Sequence, residues 1–438
     1  MMRTADFLIK SELCIGCGAC VSLCPVDALK LKIDNKAGIY FPELDEEKCI
    51  KCSICYQVCP VSKISFISNG VKEKLCSTFD TLIGNYIRCY IGYATDHEIR
   101  YNASSGGLVT QLLIHALESG TINGALVTRM RKDDPLKPEP FIARTREELM
   151  EASGSKYCPV PVNLLLRDVL KTEENERFAI VGLPCQIRAV KNAERINKRL
   201  QEKIVLHMGL FCNHTPNFLA TEIFLQRIGV RKEDITELKY RGEGWPGFMR
   251  ISLKNGKTVK VALPLYWRFL GLDFFMPRRC LICDDGLNEL ADLSFGDAWL
   301  PKFSKDNLGT SIVIVRTSAG MNLIQNAKEL GKIELVEAGY REIIQSQLNM
   351  IYFKKINLKA RAKLLGMYTP HGLVETKTSD LIFAIFTYLN SQVFSRSSIV
   401  KFVLKKVPIG GISIYYFLPK LLYSKALDNF QKRLSVHG

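Results

Sequence analysis

The chain has no segment of the ~20 consecutive apolar residues that a helix needs to cross a bilayer. In its carboxyl-terminal part the longest uncharged run, residues 407–419, falls well short of that. The opening stretch, MMRTADFLIKSELC, lacks the apolar core and small-residue cleavage site of a secretory signal. Both absences point to a cytoplasmic protein. Low-complexity segments are missing, and the six histidines form neither a triad nor a metal-ligand spacing. His115 reads as a helix-face histidine. His214, two residues after Cys212, reads as exposed, with a hydrogen bond to a metal site as the alternative. Nothing in the sequence asks for nucleic acid.

Cysteine, by contrast, is abundant. There are fifteen in 438 residues, an odd number that a closed disulfide framework does not favour. Eight of them fall in two runs, CIGCGACVSLCP (residues 14–25) and CIKCSICYQVCP (residues 49–60), which are the only internal repeat. In the cytoplasm thiols stay reduced, so clustered cysteines there bind metal or do redox chemistry. Structural zinc usually takes two CxxC or CxxH pairs across a longer loop. Here CxxCxxC continues to a fourth cysteine directly before proline, the run of two-cluster bacterial ferredoxins, in which each fourth cysteine ligates the other cluster. The spacing assigns Cys14, Cys17, Cys20 and Cys59 to one [4Fe–4S] cluster and Cys49, Cys52, Cys55 and Cys24 to a second.

The net charge of +16 does not come from this region, where residues 1–75 are nearly balanced. Residues 391–438 carry eight basic side chains against the single acid Asp428, interleaved with apolar positions such as Tyr415, Tyr416 and Phe417. That pattern suits peripheral contact with the inner face of a membrane, or packing of the apolar side on the rest of the protein. Between residues 84 and about 350, strand-like and helix-like stretches alternate, which predicts parallel strands with helical crossovers. GFMRISLKNGKTVKVAL reads as a hairpin through Asn255-Gly256. The expected architecture is an α+β ferredoxin-like domain (1–75), an α/β domain (80–350) and a mainly helical, basic extension (351–438).

Cys185 and Cys212 each follow a predicted strand, and Cys280 and Cys283 form a CxxC. Neighbouring parallel strands would bring Cys185 and Cys212 to one carboxyl edge, where open α/β sheets bind ligands. Four thiolates there suit either a cubane or zinc. Cys76, Cys89 and Cys158 have no partner pattern and read as structural. The small-residue turns NASSGGLV (102–109), GSKYCP (154–159) and GLPCQ (182–186) offer free backbone N–H groups, and Lys156 offers a reach toward an anion. YRGEGWPGF (240–248) reads as a plain turn, with a cofactor-edge loop as the alternative. Clusters pass single electrons and hydride carriers pass pairs, so a flavin between them would convert one into the other.

Taken in order, YNASSGGLVTQLL, GSKY, GLPCQI, GLFCNH, RRCLICDDGLNELADLSFGDAW and LGTSIVIVRT resemble the family of coenzyme F420 hydrogenase and dehydrogenase beta subunits. The resemblance covers residues 80–350 and implies FAD and a third [4Fe–4S] cluster on Cys185, Cys212, Cys280 and Cys283. It also implies that Ser104, Ser105, Gly106 and Gly107, with Gly154, Ser155, Lys156 and Tyr157, lie near the FAD. The implied activity is an oxidoreductase linking a hydride carrier such as coenzyme F420 to a one-electron acceptor, a ferredoxin or a redox partner subunit. FGDAW (295–299) is closer to bacterial relatives near polysaccharide-synthesis genes, which leaves the hydride partner open. Two alternatives remain: a ferredoxin-driven reductase of an organic substrate, and a non-catalytic electron-transfer subunit.

Overall fold

The structure, a computed structural model, describes residues 12–62, 78–367 and 376–406. The first segment is small and twofold-repetitive. Each cysteine run turns through two left-handed residues into a short helix: Gly16 and Gly18 before Ala19–Ser22, Lys51 and Ser53 before Ile54–Val58. The glycines take this conformation freely; Lys51 and Ser53 hold it against a steric cost because the loop must wrap the same way in both halves. Between the runs, β1 (Leu29–Asp34) and β2 (Ile39–Leu44) pair antiparallel.

After the small hairpin of β3 (Thr78–Asp80) and β4 (Gly84–Tyr86), eight strands build the central sheet. They are β5 (Arg88–Ala94), β6 (Gly124–Met130), β7 (Pro138–Ala143), β8 (Phe178–Gly182), β9 (Ile204–Leu210), β13 (Leu293–Asp297), β14 (Ser311–Val315) and β15 (Ile333–Glu337). The chain between β9 and β13 contains a separate three-stranded sheet of β10 (Ile235–Lys239), β11 (Phe248–Leu253) and β12 (Thr258–Ala262), with β11 and β12 joined through Asn255-Gly256 as expected. The order in the large sheet is β15-β5-β14-β13-β9-β8-β6-β7.

Its middle is parallel, β13-β9-β8-β6, and its flanks are antiparallel. The expectation of a parallel α/β sheet therefore holds only for the centre. β5 does not neighbour β6; it lies between β14 and β15, at the far side of the sheet. Gly92 permits this, because a Cβ there would sit 1.8 Å from the Glu334 carbonyl oxygen on β15.

Helix Leu108–Glu118 packs on one face, burying Leu108, Leu112, Leu113 and Ile114, each worth ~1.5–3 kcal/mol against exposure. Helix Pro184–Ile196 packs on the other through Ile187, Ala189, Val190 and Ala193. The same cluster takes in Cys17, Ala19 and Val58 from the cysteine-rich segment. Arg167 adds hydrogen bonds to the carbonyls of Val21 and Ser22. The cysteine-rich segment and the sheet thus share one core. Beyond Glu337 the described elements are helical, including a π-helical turn at Tyr352–Ile356. Among the described residues no helix is long and apolar enough to cross a membrane.

A buried ionic cluster ties β9 to its neighbours. His207 Nδ1 lies 2.8 Å from Asp292 Oδ2 and Nε2 lies 2.6 Å from Glu194 Oε1. Burial alone would pull the imidazole pKa down, and Lys191 adds to that, but the bonds to Asp292 and Glu194 outweigh both and hold it above its ordinary value. Its contribution to stability is therefore complete below the unfolded pKa of ~6.5 and fades as pH rises through the folded value. Anaerobic urea unfolding from pH 6 upward is expected to show that decline in the wild type and to lack it in His207→Gln.

Candidate redox centres

The left-handed turns of the cysteine runs aim backbone N–H groups inward: Gly16 N donates to Cys14 Sγ (3.4 Å) and Ala28 N to Cys24 Sγ (3.3 Å). One cavity is lined by Cys14, Cys17, Cys20 and Cys59. A second is lined by Cys24, Cys49, Cys52 and Cys55. These are the two crossed sets that the spacing assigned. The fourth cysteine of each run faces the other run's cavity because β1 and β2 fold the two halves against each other.

A third cavity gathers Cys185, Cys212, Cys280 and Cys283. β8 and β9 are adjacent and parallel, so the residues just past their ends, Cys185 and Cys212, emerge at one edge. The 3₁₀ turn Arg278–Ile282 delivers the other two, and Cys212 N donates to the Gly286 carbonyl to close the pocket. Ile15 lines both the first and the third cavity. Cys55 lies near enough to Cys20, and Cys17 to Cys185, for their charges to disfavour a further thiolate. The three sets therefore stand in a row.

Burial pushes the Cys14 and Cys212 thiols up to about 12 and raises Cys17, Cys59, Cys185 and Cys280 as well. Lone thiolates in these cavities lack the positive charge that bound iron supplies. Among the described residues no three His, Cys, Asp or Glu side chains close around a point that a single ion would fill. Zinc draws its thiolates to ~2.3 Å, whereas a cubane spreads them over its corners.

The glycine and serine loops meet at the same carboxyl edge. Ser104 Oγ accepts from Ser155 N (2.7 Å) and pairs with Ser155 Oγ (2.9 Å). Ser105 Oγ donates to the Thr310 carbonyl, and Gly106 N to Ser311 Oγ, both at 2.9 Å. Gly107, at φ 77°, caps helix Leu108–Glu118. Gly154 leaves only 3.1 Å between a would-be Cβ and the Arg241 carbonyl oxygen, so the 240–248 segment packs directly on this loop. That segment is more than the plain turn it resembled. Arg241 is buried and forms a two-pronged pair with Asp297 at 2.9 and 3.0 Å, and Trp245 Nε1 donates to the same carboxylate at 2.8 Å. Lys156, expected to reach an anion, instead donates to the carbonyls of Ala152, Ser153 and Gly154, and desolvation pulls its pKa down to about 7.

Aromatic rings join the loops to the third cavity. Tyr157 lies 4.7 Å from Trp267, and Trp267 stacks at 6.4 Å on His214. His214 is buried, not exposed as its polarity suggested, and neither ring nitrogen has a hydrogen-bond partner among the described residues.

Comparison with known proteins places this arrangement. The models for the coenzyme F420 hydrogenase/dehydrogenase beta subunit match at residues 89–167 (its N-terminal part) and 175–339 (its C terminus), and a 4Fe–4S dicluster domain matches at 13–63. The chain belongs to the family of coenzyme F420 hydrogenase/dehydrogenase beta subunits. That makes it an oxidoreductase. The coenzyme F420 hydrogenase subunit beta of Methanothermobacter thermautotrophicus is 29% identical over 304 residues, 66% of this chain and 100% of the relative. One subunit of the F(420)H(2) dehydrogenase of Methanosarcina mazei is 25% identical, over 75% of this chain and 86% of its own. Among solved structures, a chain of the F420-reducing [NiFe] hydrogenase complex from Methanosarcina barkeri superposes with a TM-score of 0.53 at 24% identity. It covers 67% of this chain and 99% of its own length and supports the fold.

For a beta subunit of this family, Cys89 and Cys158 are buried, in keeping with a structural reading; Cys76 lies outside the described residues. Of the basic carboxyl-terminal segment, residues 407–438 also lie outside them. The described helix Ser398–Lys406 buries Leu404, whose carbonyl accepts from Arg227, and exposes Ile399, Phe402 and Val403.

Proposed function

We propose that the chain carries electrons between a hydride carrier of the coenzyme F420 type and a one-electron acceptor, with FAD at the serine and glycine loops and three [4Fe–4S] clusters in line. The observation that carries the proposal is the row of three four-thiol cavities, with Ile15 shared between the first and third. Cys185, Cys212, Cys280 and Cys283 hold the third cluster, and the eight cysteines of the repeated runs hold the other two. The Ser104–Gly107 and Gly154–Tyr157 loops, fastened by the Ser104–Ser155 bonds, receive the FAD. When bound, a flavin exchanges hydride with one partner and single electrons with another. The protein's share is to keep Tyr157, Trp267 and His214 packed between that site and the third cavity, excluding water. The naming of relatives as hydrogenase and dehydrogenase subunits supports a redox partner subunit as the acceptor. The same reading divides the chain at residues 75 and 350 into ferredoxin-like, flavin and carboxyl-terminal parts.

Anaerobically purified and reconstituted protein is expected to hold about twelve irons, matching sulfide and one FAD. Reduced coenzyme F420 should bleach its visible absorbance within seconds. Protein that keeps FAD and clusters but is reduced only by ferredoxin would favour the ferredoxin-driven reductase. Protein with no flavin would leave an electron-transfer subunit.

A further inference from the structure

The third cavity differs from the other two in charge. Among the described residues no charged side chain lines the first, and the second has only the exposed Lys51. The third is lined by Lys354, whose side chain is only 2% exposed. No carboxylate forms a salt bridge with Lys354 among the described residues, whereas each neighbouring cation has an acceptor. Lys355 meets Glu289 at 2.5 Å, Arg188 meets Asp284 at 3.2 Å, and Arg279 donates to the Ile282 carbonyl at 2.6 Å. Asp285, on the same wall, has its carboxylate bonded by the Glu289 backbone N–H at 3.3 and 3.1 Å. The π-helical turn Tyr352–Ile356 lets two consecutive lysines both face inward, one to Glu289 and one to the cysteines. The Phe353 ring lies 5.5 Å from the Lys354 ammonium, but a ring face is no anion, and a buried ammonium is strongly unfavourable unless a negative group meets it.

We infer that Lys354 is a positioning residue for the third cluster, its ammonium facing the cluster sulfurs and setting the reduction potential above that of the two ferredoxin-type clusters. The inference rests on the third cluster of the proposed function. A cubane with four thiolates is anionic and gains a further negative charge on reduction, so a fixed cation stabilises the reduced form more than the oxidised one. Net charge, hydrogen bonds to sulfur and solvent exposure are the levers that set such potentials, and Lys354 acts on the first two. The cluster nearest the flavin loops thereby becomes the one that accepts an electron most readily.

The test is redox titration of the full, reconstituted chain, followed by low-temperature EPR, in wild type, Lys354→Met and Lys354→Arg. In the Met variant one cluster is expected to shift to lower potential by at least tenfold in its reduction equilibrium, about 59 mV for one electron. The other two clusters should not move, and the Arg variant should stay near wild type. Full iron content with an unshifted potential in the Met variant overturns the role of Lys354. If that variant fails to hold the cluster, Lys354→Gln decides: a lowered potential supports the inference and a wild-type potential overturns it. Wild-type protein with about eight irons and no third signal overturns the third cluster itself, a separate failure.

Discussion

Serine at Cys185 should leave the chain with about eight irons where the wild type holds about twelve, and slow the delivery of electrons from reduced coenzyme F420 to the remaining clusters at least ~100-fold. Cys185 is the second residue of helix Pro184–Ile196 and stands at the end of β8. Serine fits the same space, so sheet and helix keep their packing, but its hydroxyl is a poor substitute for a thiolate on iron. The eight cysteines of the repeated runs line two other cavities, so the ferredoxin-type clusters should survive. Their reduction by chemical reductant, alongside slow reduction by the hydride carrier, would show that the middle of the path is broken. Cys158→Ser is the matched control, since Cys158 is buried against Tyr240 and lines none of the three cavities. Iron content at the wild-type level in Cys185→Ser would remove Cys185 from the ligand set.

Removing the carboxylate of Asp297 should cost about 3–5 kcal/mol, the range for stranding one partner of a buried pair. Asp297 ends β13, and its two oxygens take both prongs of Arg241 and the Trp245 indole N–H. Burial alone would lower the Arg241 pKa, and the Asp297 charge more than reverses this; without Asp297 that support is lost, but a guanidinium is so strong a base that it stays charged and stranded. Asp297→Ala should therefore melt earlier than Asp297→Asn, which keeps one acceptor oxygen for these three donors. Because the Arg241 carbonyl packs against Gly154, the same change should loosen the loop proposed to receive FAD and raise the fraction of flavin lost on gel filtration. Unchanged thermal midpoint and flavin retention in Asp297→Ala would show that the pair is dispensable. Additional replacement of Arg241 by Met should restore part of the loss, since the stranded charge is then gone.

Which parts of this were readable in advance follows from how local the signals are. The two ferredoxin sets are written within twelve residues each, so ligand spacing was enough to pair Cys24 and Cys59 across the runs. Cys185 and Cys212 were readable because β8 and β9 are consecutive, parallel and adjacent. The flanking strands were not. β13, β14 and β15 are five-residue strands far from β5 in sequence, and only the tight contact at Gly92 reveals how β15 closes on it. Burial of His214 is a tertiary property, and nothing in GLFCNH marks it. The Glu194–His207–Asp292 cluster is drawn from a helix, a strand and a loop, so no spacing pattern could display it. Lys354 escaped for the same reason. One lysine of a KK pair in an apolar stretch looks like a solvated charge until a π-helical turn is known to point both inward.

The hydrophobic cluster that Cys17, Ala19 and Val58 share with Ile187 and Val190 has a consequence for how current flows. Many electron carriers work as swinging arms, loading at one station and docking at another, and their throughput follows the speed of the swing. Here the clusters are welded to the frame. Their separations are set by packed side chains, so transfer between them has no moving part to wait for, and solvent viscosity has no purchase on it. On the proposed path, any search or docking step belongs to what arrives from outside, the hydride carrier at one end and the electron acceptor at the other.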